Sequence, residues 1–259
     1  MDTIYQHFRK EEAPFIDHVA EMIEQAGNEY RPILTEFLDP RQVFIAQTLV
    51  GTHGEVSVFH FGGYPGAERE RLILAPSYYE PQDRDFEIGL IQIKYPEKFA
   101  ELHHSTIMGT LLNAGIQRDI FGDIITDGEN WQFFVEASMV SFSLDNFDHI
   151  GKVGVRLEER PLSDHLQPTN EWETTEVTVS SLRIDTIVAH VFGISRQRAK
   201  ELVQGEKVRL NFQVESHPDV VLADNDMVSV RGFGRIRYLA LAGMSKKDKY
   251  RIQVGVLHK

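Results

Sequence analysis

Residues 83–160 change hydrophobic period in the order strand, helix, strand, strand, helix, strand, and few folds accept that order. Phe86, Ile88 and Leu90 alternate with Glu87 and Gly89, which predicts a strand running on to Lys94. Ser105 suits the N-cap of a helix whose apolar positions are Ile107, Met108, Leu111 and Leu112, ending at Ala114-Gly115. Asp123 to Thr126 reads as a short strand, Asp127-Gly128 as a hairpin turn, and Trp131 to Val135 as the strand that pairs back. Ala137 to Phe147 is a second predicted helix and Val153 to Leu157 a last strand. That order specifies a split βαβ unit, a ferredoxin-like (RRM-like) plait. In plaits that bind RNA, central strands stack bases on aromatic rings. Trp131, Phe133 and Phe134 occupy the corresponding strand, without the basic-Gly-aromatic consensus, so they read either as core or as a base platform.

Two further units flank the plait, giving an α+β chain of three small α/β units over 1–80, 83–160 and 181–259. In the first, Phe15, Val19, Met22 and Ile23 share a helical face, with Gly27 as the stop. Asp39-Pro40 supplies an N-cap and a first helical position for a helix through Val50. Val56 to Phe61 reads as a strand closed by Gly62-Gly63-Tyr64-Pro65-Gly66, and Leu72 to Pro76 as another. Residues 161–179, with Pro161, Pro168 and a polar, acidic run to Glu176, read as a linker. There is no Cys, which excludes disulfides, thiol nucleophiles and Cys-based zinc sites. No apolar run approaches the ~20 residues of a membrane span, and the first ten residues lack the apolar core of a signal peptide. The expectation is a soluble, cytoplasmic protein.

Charge is distributed unevenly. Residues 181–259 hold 14 Lys and Arg against 8 Asp and Glu, whereas residues 1–180 hold 13 against 31, in a chain of net charge −12. A basic segment in an acidic chain is the footprint of a polyanion partner, or else a face that docks on the chain's own acidic part.

From Leu182 the chain reads Arg183-Ile184-Asp185, then Ser195-Arg196, Arg198-Ala199-Lys200, Gly205 and Lys207-Val208-Arg209-Leu210-Asn211. Ser195 is a good N-cap, which turns the positive end of the following helix outward. Arg196 and Lys200 are four apart and share a helical face; Lys207 and Arg209 alternate on the next strand. Two cationic rows are thereby expected to converge on one groove. Further on, Arg231-Gly232-Phe233-Gly234-Arg235-Ile236-Arg237 places Arg235 and Arg237 on one strand face, with Phe233 either in the core or stacking on a base. Met244-Ser245-Lys246-Lys247 reads as a hairpin whose lysines face either phosphate or solvent.

The Arg183 to Asn211 pattern resembles the RNA-binding motif named from small-subunit ribosomal protein S-four. Arg183, Asp185, Ser195, Arg196, Ala199, Gly205, Val208 and Asn211 occupy its positions. Asp224-Asn225-Asp226 through Val230 is similar to the motif's later strand, with Asn225 where Gly is usual, and Phe212 replaces the Gly common after the Asn. Over its whole length the chain also resembles the YlmH family, through His104-Ser105-Thr106-Ile107-Met108-Gly109 to Gly115-Ile116, Arg118, Phe121-Gly122-Asp123-Ile124, and Arg231 to Arg235. The resemblance implies a noncatalytic RNA-binding protein with a C-terminal S-four-type domain. It implies contact with ribosomal RNA and tRNA on the large ribosomal subunit, in the quality control of stalled nascent chains, with gene neighbours in cell division. His104 by its place in that segment, Arg118 by its expected turn and Trp131 by its strand are further candidates for secondary RNA contacts. Arg118 sits in an expected turn, where it meets phosphate or pairs with Asp119 or Asp123.

Rival functions find less support. The Asp of pseudouridine synthases has no matching Gly-Arg-Leu-Asp context, and Gly62 to Gly66 is too short for a methyltransferase loop. An RNA-modifying catalytic domain of unfamiliar form within 1–160, or a cell-division scaffold, are the alternatives. His103-His104 lacks partners at ligand spacing, so no metal, cofactor or small-molecule substrate is expected.

Overall fold

In a computed structural model the protein is described over residues 8–51, 54–168 and 172–258. It divides into two compact units, Met1–Thr169 and Asn170–Lys259.

The first unit opens with α1 (Ala13–Glu29), β1 (Ile33–Leu34), α2 (Pro40–Val50), β2 (Val56–Phe61) and β3 (Arg71–Pro76), with sheet order β1-β3-β2. Helix α1 buries Ile16, Val19, Ile23 and Ala26, a stripe at helical spacing. At the start of α2, Asp39 and Gln42 cap each other reciprocally: the Gln42 N–H donates to Asp39 and the Asp39 N–H donates to Gln42. Strand β3 is buried along its whole length, because its two faces serve two cores. Leu72 and Leu74 face α1 and α2, whereas Ile73 and Ala75 face the plait.

The plait follows: β4 (Ile88–Lys94), α3 (His104–Asn113), β5 (Phe121–Thr126), β6 (Trp131–Glu136), α4 (Val140–Asn146), β7 (His149–Ile150), β8 (Val153–Gly154) and β9 (Arg156–Arg160). Its antiparallel order, β5-β6-β4-β9, is that of the ferredoxin-like plait, so the α+β class holds. Ile91, Ile93, Phe133 and Val135 pack under the helices. Leu90 and Phe134, on the opposite face, pack with Phe37, Tyr64, Ile73 and Ala75. Tyr64 stacks on Phe134 at 5.1 Å between ring centroids. The approach is close enough that a Cβ on Gly63, at φ +98°, would stand 2.4 Å from the Phe134 ring.

Polar groups stitch the same seam. Asp123, half-buried, accepts from the Tyr64 hydroxyl at 2.8 Å and from the Glu68 and Arg69 N–H groups at 2.7 and 3.2 Å. Burial and the neighbouring Glu68 charge push its carboxyl above the ordinary range, against the lowering effect of those donors. Arg71 donates to the Thr35, Phe86 and Glu87 carbonyls and pairs with Glu136 at 3.3 Å.

Several expected boundaries move. His103, not Ser105, holds the N-cap position of α3, and Ser105 lies inside the helix. The last plait strand is Arg156–Arg160; Val153–Gly154 instead pairs with His149–Ile150. Trp131 is half-buried against the helix-side core, and Phe133 and Phe134 are buried on opposite faces, so this strand is no open base platform. The segment read as a linker is structured at both ends. Leu166 N–H and the Asp164 carbonyl bind the Gln132 side chain, and Glu173–Val179 is a strand, β10, of the second unit. Its exposed Glu and Thr residues hid it, because an edge strand with two polar faces has no hydrophobic period to read.

The second unit continues with α5 (Ile184–Val191), α6 (Arg196–Gln204), β11 (Val208–Leu210), β12 (Gln213–Val214), β13 (Met227–Val230), β14 (Gly234–Met244) and β15 (Tyr250–His258). Its antiparallel sheet runs β10-β15-β14-β13-β11-β12, and both helices cover one face over Ile187, Val203, Val228, Ile236 and Val254.

The shared seam predicts that residues 1–169 melt in one transition. Phe134→Ala should remove about 3–5 kcal/mol of stability. A fragment beginning at residue 81 should bind a hydrophobic dye that the whole unit does not, because Ile88, Leu90 and Phe134 lose their cover. Dye fluorescence and calorimetry check both expectations.

Candidate nucleic-acid interface

The residues of the expected RNA motif are organised by one buried carboxylate. Asp185, in the first turn of α5, has no exposed side-chain surface. It accepts from Arg183 Nε and Nη2 and from Arg196 Nε, each at 3.1 Å, and from the Thr186 hydroxyl at 3.1 Å. Burial alone would raise its pKa, but Arg183, Arg196 and Thr186 outweigh that and hold it below the ordinary carboxylate range. The start of α5 is fastened as well, with the Ile184 and Asp185 N–H groups donating to the Val220 and Pro218 carbonyls.

Helix α6 begins as the sequence indicates. The Ser195 hydroxyl accepts from the Arg198 N–H at 3.1 Å. Ala199, Leu202 and Val203 bury against the sheet, which turns Arg198 to solvent and leaves Lys200 half-buried. Arg198 makes an exposed pair with Glu201 at 3.3 Å. Arg196 departs from expectation: it is half exposed but tied to Asp185, so its charge is also structural.

The two cationic rows do not converge. Val208 and Leu210 join the core beneath the helices, so the alternation of β11 sends Arg209 to the opposite face of the sheet. There Arg209 stands across from Ser229, and Ser229 across from Arg235. Lys207 is exposed just before β11. Arg235 and Arg237 emerge together, as expected, and both stack on Trp172, at 5.5 and 4.9 Å from the ring centroid. Trp172 itself lies over Gly255, within 3.3 Å of where a Cβ would stand. No sequence pattern announces Trp172, since it lies in the polar segment read as linker. Arg235 also lies 5.7 Å from the centre of the Phe212 ring.

Asn211 is a structural residue. Its amide donates to Asp226 at 2.8 Å and its oxygen accepts from the Met227 N–H at 2.9 Å. Asn211, Phe212 and Asn225 take positive φ of 46°, 68° and 66°, so the two positions where Gly is usual keep the left-handed backbone without it. Arg231 is exposed. Phe233 packs on the core and meets Phe192 at 5.6 Å between centroids, which selects its core reading. Lys246 and Lys247 are exposed in the β14–β15 turn, which is closed by the Ser245 hydroxyl accepting from the Lys247 and Lys249 N–H groups.

In the first unit His104 is exposed at the start of α3. Arg118 is committed inward: Nη1 donates to the Phe121 and Gly122 carbonyls at 2.6 and 3.1 Å, and the guanidinium lies 4.3 Å from the centre of the Phe121 ring. Among the described residues, no three His, Asp or Glu side chains are grouped as metal ligands, and no helix is long and apolar enough to cross a membrane.

Residues 11–79 match the family model "YlmH, N-terminal", and residues 81–164 match "Putative RNA-binding domain in YlmH". The chain is 39% identical over 252 residues to "Ribosome-associated protein quality control protein P2" of Bacillus subtilis (strain 168), covering 97% of this chain and 98% of that one. A solved structure, "Cell division protein ylmH from Streptococcus pneumoniae", aligns with a TM-score of 0.55 and 37% identity, covering 63% of this chain and 99% of that one.

The Asp185 clamp separates structural from free cations. Arg196→Glu should lower the thermal stability of the second unit by about 1–3 kcal/mol, because a buried carboxylate loses a donor and gains a like charge. Lys200→Glu should leave the melting temperature unchanged. A depressed carboxylate contributes stability that is present above its unfolded pKa and lost as pH falls through its folded one. The Asp185→Asn variant should therefore be less stable at neutral pH and lose less on acidification below the ordinary carboxylate range, as read by circular dichroism. Phe233→Ala should lower the melting temperature through lost packing.

Proposed function

The chain belongs to the YlmH family, and from that membership we propose that it is a noncatalytic, ribosome-associated RNA-binding protein acting in the quality control of stalled nascent chains. The observation that carries the reading is the second unit. A preorganised Arg183–Asp185–Arg196 network fixes two helices that carry an exposed Arg198 and a half-buried Lys200, within the basic third of an acidic chain. Cations held in a rigid frame match the regular spacing of backbone phosphates, and recognition of that kind reads RNA shape rather than base sequence.

The finer reading is contact with ribosomal RNA and tRNA on the large subunit, in the cytoplasm. It is supported by near full-length similarity to the Bacillus subtilis protein, whose name states ribosome association and quality control. The noncatalytic reading is supported by the first unit, where side chains of the unit's own core fill both faces of the plait sheet. Our reading gives that unit a minor role in RNA affinity, since its excess of carboxylates repels phosphate within a Debye length of ~8 Å.

Lys200→Glu with Lys207→Glu should weaken binding to any structured RNA and flatten the dependence of affinity on salt by about 2. Co-sedimentation with large ribosomal subunits should fall in parallel. Unchanged sedimentation of a well-folded double variant would remove the basis of the proposal. Residues 1–169 should bind the same RNA far more weakly than the full chain.

A further inference from the structure

On the helix side of the second unit lies a groove of about 430 Å³ that the RNA motif alone does not form. Three parts of the chain that are distant in sequence wall it. Thr178 and Ser180 come from the end of β10, His190 and Arg196 from the two helices, and Lys249 from the β14–β15 turn. Among the described residues, no carboxylate lines it. Arg196 commits Nε to Asp185, which fixes the guanidinium and leaves its two terminal amino groups as donors. The Lys249 backbone N–H is bound by the Ser245 hydroxyl at 3.1 Å, so the turn that carries this exposed ammonium is closed. Gly193, at φ +63°, has no described residue within 4 Å of where a Cβ would stand, and the groove is open for close approach there.

Arg196, Lys249 and the His190 imidazole line this one groove, and two cations beside an imidazole form a donor set for one phosphoryl group. We infer that this groove holds a single phosphate of the bound RNA, with Lys249 and His190 as ligands beside Arg196. The inference rests on the RNA-binding reading and deepens it, by naming a site that needs β10 and the last hairpin as well as the helices. A backbone phosphodiester and a 5′-terminal phosphate present the same chemistry, and they differ in a simple comparison.

The test uses the full chain and one short RNA prepared with a 5′-phosphate or a 5′-hydroxyl. Both His190 and Lys249 are exposed, so Lys249→Ala with His190→Ala should keep the melting temperature. Affinity should fall roughly tenfold and the salt dependence should flatten by about 1, as for one lost phosphate contact. An equal loss for both RNAs supports a backbone phosphate. A preference for the phosphorylated RNA that vanishes in the variant supports a terminal one. If the variant binds as the parent does while Lys200→Glu with Lys207→Glu loses affinity, the groove is not a phosphate site and the RNA-binding reading stands. If neither variant loses affinity, both fall together.

Discussion

Phe134 sits where two cores meet, and the first unit depends on that seam. Its ring stacks on Tyr64, its strand carries Phe133 to the other face, and Gly63 and Gly122 are needed to let the layers close. A plait that used this sheet to stack bases would leave the face open. Here Phe37, Tyr64, Ile73 and Ala75 cover it, and burying such rings contributes roughly 1.5–3 kcal/mol for each large apolar side chain. The same seam buries Arg71 and half-buries Asp123, and each is surrounded by partners that make its burial tolerable. The cost to function is specific: a fold often used for base recognition has given up its usual face to stability.

The second unit resolves burial and charge differently. Asp185 is buried as a carboxylate, which water would otherwise solvate, and two arginines that remain partly exposed replace that water. One group thereby sets the angle between α5 and the start of α6 and aims the second arginine outward. An uncharged residue at that position would pack, but it would not orient a guanidinium.

What was legible in the sequence was local. The Asp39 N-cap, the Ser195 cap, the Asp127-Gly128 turn and the order of plait elements depend on residues a few positions apart, and each was readable as such. What was not legible was long-range. Nothing near Arg196 shows that a carboxylate eleven residues earlier is buried, so the arginine looked like free surface charge. Tyr64 finds Asp123 across 59 residues, and Arg118 turns inward to carbonyls that no pattern marks. The strand parity that separates Arg209 from the helices was readable from Val208 and Leu210, but only once α6 was known to cover that face. Trp172 was hidden by its polar surroundings, and its partners on β14 lie more than sixty residues away.

In the second unit the strand made first is hydrogen-bonded to the strand made last: Glu173 stands opposite Val256, and Val179 opposite Tyr250. During synthesis β10 emerges with both edges bare and has no partner until β15 has left the exit tunnel. The helices can form and begin to bury their stripe, but the six-stranded sheet is complete only once β15 joins β14 to β10. A nascent chain halted anywhere before β15 would therefore leave β10 unpaired and the inner strand β14 with a bare edge, a pairing template for other strands. A truncated copy of this protein is thus itself the kind of product that surveillance of unfinished chains has to remove.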